Sequence, residues 1–286
     1  MIIKKHPGST LNTDLSGLLE FAVSMAQQAG RETLRYFGAD VSTQLKADST
    51  PVTQADRDAE QLCRALIEAR FPTDGIIGEE FGTSRPEAPR RWIIDPIDGT
   101  KNFIRGVPLY GVLIALEEAG RPVIGVVHFP ALSDTVAAAR GSGCYWNGRL
   151  ARVSEVSALK DALVLSTDAE SFAEQGHAAE WEQLVDRAAM ARTWGDCYGH
   201  ALVATGRAEA MLDPVLAIWD SAALLPIVEE AGGVFSDWAG RQRHDGGSGI
   251  STNSALAKEI RGLLGVSDSI PNRTSSSSCP DDPVAQ

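Results

Sequence analysis

Trp92-Ile93-Ile94-Asp95-Pro96-Ile97-Asp98-Gly99-Thr100 sets two carboxylates and a hydroxyl at the end of a short apolar run. The run predicts a buried strand that breaks at Pro96 and Gly99, and a strand end is a rigid place to hold charge. Two carboxylates this close and half buried need a compensating cation. Two further segments supply acids of the same kind. Gly75-Ile76-Ile77-Gly78-Glu79-Glu80 is a second short apolar strand that ends in paired glutamates, and Ala217-Ile218-Trp219-Asp220-Ser221-Ala222-Ala223 opens a helix with Asp220 near its start. Taken singly, these are an Asp-Pro turn, an Asp-Gly turn, a solvated glutamate pair and a helix cap. Taken together they describe one all-oxygen site, suited to a hard cation such as Mg²⁺ or Mn²⁺. No His/Cys spacing suited to zinc is present.

The elements that must position these acids alternate between helix and strand. Leu15, Leu18, Leu19, Ala22, Val23, Ala26 and Ala29 form one helical stripe, with Thr13 or Asp14 as its cap. Ala55, Ala59, Leu62, Cys63, Leu66 and Ile67 form another that starts at Thr53. Strands are expected around residues 76–77, 92–95, 111–116, 123–129 and 134–138, then a hairpin turn near Asn147-Gly148. Beyond Leu150 come a strand at 163–166, a helix near 178–189 and a helix begun by Gly195. A strand at 209–212 and a helix from Asp220 to about Ala231, stopped by Gly232-Gly233, complete the pattern. Pattern alone gives an α/β or α+β unit. The expected organisation is a single domain over residues 11–265, with a metal-binding half to about 150 and a substrate half from about 151. The polar, serine-rich segment 266–286 is expected to be a disordered tail, and the first ten residues are expected to be loose.

A chain of 286 residues with 43% hydrophobic content can bury a substantial core. Its net charge of −12 argues against nucleic acid or an anionic membrane as partner. It also means that an anionic substrate must be met by bound cations. No run is apolar enough to span a bilayer, Met1–Gly8 has no signal-peptide core, and four scattered cysteines form no disulfide framework. These features lead to the expectation of a cytoplasmic enzyme.

These three acidic segments, with Lys46-Ala47-Asp48-Ser49-Thr50-Pro51-Val52-Thr53-Gln54-Ala55-Asp56 before them, resemble the inositol monophosphatase family of metal-dependent, lithium-sensitive phosphatases. The resemblance runs in order from about Leu15 to about Leu264. It implies a layered α/β/α/β/α sandwich with mixed sheets, two or three Mg²⁺ per site with Mn²⁺ as substitute, a small phosphate monoester as substrate and a homodimer. It also implies roles. Glu79 and Asp95 would bind the first metal with the Ile97 carbonyl. Asp95 would bridge to a second held by Asp98 and Asp220, and Glu79 would share a third with water. Gly99 and Thr100 would meet the phosphate, and Asp56 would hydrogen-bond Thr100 and help orient the attacking water. Thr53-x-x-Asp56 at a helix start also reads as a capping box, and both readings can hold at once.

Substrate choice is expected in the run from Arg192 to Glu209, where Gly195 starts a helix facing the leaving group. Asp196 and Asp213 read as two carboxylates aimed at a cationic leaving group, with Arg192 as a further substrate contact. Asp196 reads alternatively as a helix cap, and His200 reads as a core histidine. Trp194-Gly195-Asp196-Cys197-Tyr198-Gly199 and Lys101-Asn102-Phe103-Ile104-Arg105-Gly106-Val107-Pro108 resemble the histidinol-phosphate phosphatase branch of the family. That substrate carries an amine and an imidazole, which carboxylates bind through charge-assisted hydrogen bonds. The expectation is histidinol phosphate hydrolysis by metal-activated water. The alternatives are an inositol-1-phosphate or broad sugar-phosphate phosphatase, and an inactive regulatory relative.

Overall fold

The structure, a computed structural model, describes residues 15–39, 44–45 and 51–266. The expected Thr13/Asp14 cap, the Lys46–Thr50 stretch, the loose first residues and the tail beyond Val266 lie outside them. Among the described residues the strands form two large mixed sheets and a two-stranded ribbon of Gln44–Leu45 with Pro51–Val52. The first large sheet runs, edge to edge, Arg149–Ala151, Gly143–Trp146, Asp134–Ala139, Arg121–Phe129, Gly111–Glu118, Arg90–Asp98, Gly75–Gly78, Gly82–Ser84. Its neighbours are antiparallel except Gly75–Gly78 beside Arg90–Asp98, which are parallel. The second runs Met190–Arg192, Leu163–Ser166, Ala210–Asp213, Gly249–Thr252, Val234–Ser236.

Five layers follow from where the apolar side chains go. Trp92 and Ile94 pack with Leu19, Met25, Cys63 and Ile67 of the helices Leu15–Leu34 and Gln54–Arg70. Ile93, between them, points to the other face and packs with Cys197, Ala201, Leu225 and Val228. Those residues belong to the middle helices Asp196–Ala204 and Leu224–Glu230. The second sheet covers that layer, and Trp181, Leu184 and Ile260 of the outermost helices cover the second sheet. The chain therefore has the expected α/β/α/β/α sandwich. A strand covered on both faces reads as a continuous apolar run, which is why Trp92-Ile93-Ile94 shows no alternation. Gly125 fixes the spacing of sheet and middle layer, since a Cβ there would lie 2.0 Å from the Ala223 carbonyl oxygen.

The strands Val234–Ser236 and Gly249–Thr252 and the helix Ala257–Leu263 have no counterpart among the expected elements, and two expected elements differ in extent. The strand does not end at Asp95. It continues to Asp98 through a bulge between Asp95 and Asp98, where Pro96 has no N–H to give the ladder. The helix expected from Asp220 to Ala231 is two, Ile218–Ser221 and Leu224–Glu230. Pro226 lacks the N–H that would have bonded the Ala222 carbonyl, so the chain restarts and Pro226 falls in the first turn of the second helix, where it costs little.

Candidate active site

Asp95, Asp98 and Asp220 converge: one carboxylate oxygen from each lies within 4.8 Å of the others. Each is aimed by a backbone N–H. Ile97 donates to Asp95 Oδ1 at 3.0 Å, within the bulge that Pro96 creates. Cys197, at the start of its helix, donates to Asp98 Oδ2 at 2.5 Å. Ala217 donates to Asp220 Oδ2 at 2.7 Å, closing the turn that begins the Ile218–Ser221 helix. The middle-layer helices thus deliver a backbone donor and an acid to a sheet strand that carries two more. Among the described residues no lysine, arginine or histidine pairs with any of the three.

Burial and mutual repulsion hold these acids far from their ordinary state. Desolvation, then the Glu79 and Asp98 charges, pushes Asp95 well above the usual carboxylate range. Desolvation, then Asp196 and Asp220, does the same to Asp98. Asp220 is raised to about 6, mainly by burial and against the help of the Ala217 N–H. A buried acidic cluster without a protein cation is the donor set a hard divalent ion fits. Glu79 follows the neighbouring parallel strand, its N–H donating to the Ile94 carbonyl at 3.3 Å, and its charge acts on Asp95, Asp220 and Asp56 alike.

Asp56 departs from one expectation. Its Oδ2 accepts from the Thr53 N–H at 2.8 Å and the Thr53 hydroxyl at 2.6 Å, completing the capping box. The expected bond to Thr100 is not formed. Thr100 Oγ1 donates to the Ile97 carbonyl at 3.0 Å, closing the bulge on itself, so the carbonyl proposed as a metal ligand carries this bond as well. The other oxygen of Asp56, Oδ1, is buried with no hydrogen-bond partner. Burial, with Glu79 adding to it, raises Asp56 to about 6. Gly99 takes φ +85°, and a Cβ there would lie 3.1 Å from Asp196 Oδ2, so the residue is glycine for both conformation and space.

Asp196 stands beside the cluster in the left-handed region, at φ +53°. Its N–H donates to Thr167 Oγ1 at 2.8 Å, and Oδ2 accepts from Asn102 Nδ2 at 3.0 Å. Burial, then Asp213 and Asp220, raises it to about 7, with Lys101 opposing. Asp213 is not aimed outward as expected. It is buried, Oδ1 accepting from the Thr167 N–H at 3.2 Å and Oδ2 bonded to His200 Nε2 at 3.1 Å. His200 is the core histidine, its other nitrogen 2.7 Å from Ser251 Oγ. Arg192 is exposed on an edge strand, donating to the Ala191 carbonyl at 2.7 Å, and makes no bond to the carboxylates. The sequence alone does not single out Asn102 or Thr167. Asn102 sits inside a quoted motif, whereas nothing in the chain marks Thr167.

These raised acids give a pH dependence. Asp56, Asp196 and Asp220 titrate at about 6, about 7 and about 6 in the fold, against about 3.9 in the unfolded chain. The folded state therefore binds more protons across that window, so stability falls as pH rises through it. In chelator the protein is expected to melt higher at about pH 5.5 than at about pH 7.5, and saturating Mg²⁺ should remove the difference. A chelated protein that melts higher at the upper pH would contradict the placement of these acids.

The chain matches the inositol monophosphatase family over residues 14–265. It is 47% identical over 249 residues to a histidinol-phosphatase of Chlorobaculum parvum, covering 86% of this chain and 96% of that one. It is 40% identical to a histidinol-phosphatase of Mycobacterium tuberculosis, covering 85% and 95%. Among solved structures, an inositol monophosphatase from Zymomonas mobilis superposes with a TM-score of 0.80 at 34% identity, covering 89% of this chain and all of that one. On this match and this geometry the chain belongs to the inositol monophosphatase family.

Proposed function

We propose that this phosphatase hydrolyses L-histidinol phosphate to L-histidinol and inorganic phosphate, with Mg²⁺, or Mn²⁺ in its place, held by Glu79, Asp95, Asp98, Asp220 and the Ile97 carbonyl. The observation that carries the reading is Asp196, whose carboxylate accepts from Asn102 beside the acidic cluster while its backbone N–H is tied to Thr167. A wall of that charge suits an amine or imidazole leaving group and repels a second phosphate. The names of the two histidinol-phosphatases support the same choice.

Phosphate monoesters hydrolyse so slowly that the acceleration needed can approach ~10²¹-fold. Bound divalent ions would supply charge neutralisation at the phosphoryl group and a water of lowered pKa. The chain's own part is positioning. Gly99 and Thr100, turning off the strand end, offer N–H groups to phosphate oxygens, and the Thr100 hydroxyl, whose one hydrogen goes to the Ile97 carbonyl, would turn from that carbonyl to donate to the phosphate. The partnerless Oδ1 of Asp56 is an acceptor for the attacking water. Asp196 meets the cationic end of the substrate.

Histidinol phosphate, inositol 1-phosphate and a sugar bisphosphate, each assayed with and without Mg²⁺, test the proposal. Histidinol phosphate is expected to have the highest kcat/KM, and excess chelator to abolish turnover of all three. A preference for inositol 1-phosphate would overturn the substrate and leave the phosphatase. A cytoplasmic homodimer is part of the same proposal, checked by light scattering of the eluted protein.

A further inference from the structure

Glu60 lies in the Gln54–Arg70 helix one turn beyond Asp56, and its side chain is fully buried. A buried carboxylate is costly unless hydrogen bonds replace its water, and this one is fully engaged. Oε2 accepts from the Glu80 N–H at 2.7 Å, and Oε1 accepts from the Phe81 N–H at 3.2 Å and from Arg64 Nε at 2.7 Å. Arg64, one turn further along the helix, also donates to the Gly82 carbonyl. Two side chains of one helix therefore grip the backbone at three consecutive residues. Gly78 makes the approach feasible, because a Cβ there would lie 2.0 Å from Glu60 Oε1. Gly78 and Gly82 pair across the ladder, so the turn between them is tied at its ends by strand pairing and along its length by Glu60 and Arg64. That turn carries Glu79, whose charge acts on Asp95, Asp220 and Asp56.

We infer that Glu60, backed by Arg64, is a positioning residue for the metal centre: it fixes the Glu79–Phe81 turn, so that Glu79, which stands outside the converging trio of Asp95, Asp98 and Asp220, keeps a set place beside it before a cation arrives. The inference rests on the reading of Glu79 as a metal ligand. A ligand fixed in advance loses less conformational freedom on binding, so loosening the turn should weaken cation affinity and leave the chemistry of the loaded site intact.

The test uses the full chain and three variants, Glu60→Gln, Arg64→Gln and Glu79→Gln. Mn²⁺ affinity is measured by calorimetry, Mg²⁺ activation by kinetics, and backbone exchange at residues 80 and 81 by mass spectrometry. Glu60→Gln keeps the volume but offers an amide N–H₂ where the turn needs an acceptor. It is expected to weaken Mn²⁺ binding roughly 10–100-fold and raise the half-saturating Mg²⁺ similarly. Its kcat at saturating Mg²⁺ should return to within about twofold of the parent. Arg64→Gln should act in the same direction by a smaller factor, and exchange at Glu80 and Phe81 should quicken in both. If Glu79→Gln weakens Mn²⁺ while folded Glu60→Gln does not, or if Glu60→Gln lowers kcat with unchanged metal dependence, the positioning role is wrong. Should Glu60→Gln fail to fold, unchanged Mn²⁺ affinity in Arg64→Gln overturns it instead. Unchanged affinity in Glu79→Gln removes the metal-ligand reading itself, and the positioning role with it.

Discussion

Asp95→Asn is expected to cut kcat/KM by on the order of 10³-fold or more for every phosphate monoester the enzyme accepts, about 4 kcal/mol of transition-state stabilisation. Asp95 is the most buried acid of the cluster, it feels both Glu79 and Asp98, and its Oδ1 is already aimed by the Ile97 N–H. An amide can still accept that bond, so the bulge should survive while a negative charge is lost from the position proposed to touch two cations. Stability should move the other way. Without metal, the buried carboxylate is repelled by its neighbours, so the chelated variant should melt no lower than the chelated parent. Activity falling while metal-free stability holds or rises is the signature of a metal ligand. Full turnover in excess chelator, or a near-normal rate for Asp95→Asn, would sink the assignment.

Asp95 and Asp98 are legible in the chain because they fall within one short segment, at the end of an apolar run that can only be a buried strand. Asp220 is less evident alone and becomes so beside them. The layered fold was legible through the same apolar runs, yet pattern reading gave only alternating elements, and the order of the layers came from the family resemblance. What escaped has physical reasons. The short edge strands Gly82–Ser84 and Met190–Arg192 carry little apolar signal, since their stability comes from a neighbour's ladder rather than their own side chains. The break before Leu224 turned on a single proline in an otherwise continuous helical pattern. Glu60 is hidden by its surroundings, one acid among the charged residues of an amphipathic helix: its pairing with Arg64 reads as an ordinary helix-surface pair, and its other partners are backbone groups about twenty residues away. Thr167 is hidden in the same way, joining Asp196 and Asp213 across more than 25 residues of chain. Contacts made by backbone atoms leave no mark in composition or spacing. The burial of Asp213 is hidden for a related reason: nothing in the sequence marks its bond to the core residue His200.

Asp196→Asn should separate the two leading substrates. Asparagine keeps the hydrogen bond from Asn102, through its own carbonyl oxygen, and the backbone bond to Thr167 Oγ1 does not involve the side chain. Asparagine also tolerates the left-handed backbone that Asp196 adopts at φ +53°. The substitution therefore removes a charge and little else. If that charge meets the amine or imidazole of histidinol phosphate, its loss should lower kcat/KM for that substrate by about 2–5 kcal/mol when the pair is well buried, less where water enters. Inositol 1-phosphate, with a neutral leaving group, should lose far less, because no proposed metal ligand is replaced. Asp213→Asn provides the contrast. Asp213 is buried between His200 and the Thr167 N–H, so its replacement should lower the melting temperature and affect both substrates together. Equal losses on both substrates for Asp196→Asn, with an unchanged melting temperature, would mean that Asp196 serves the metals through Asp98 and not the leaving group, and the choice of histidinol phosphate would lose its structural support.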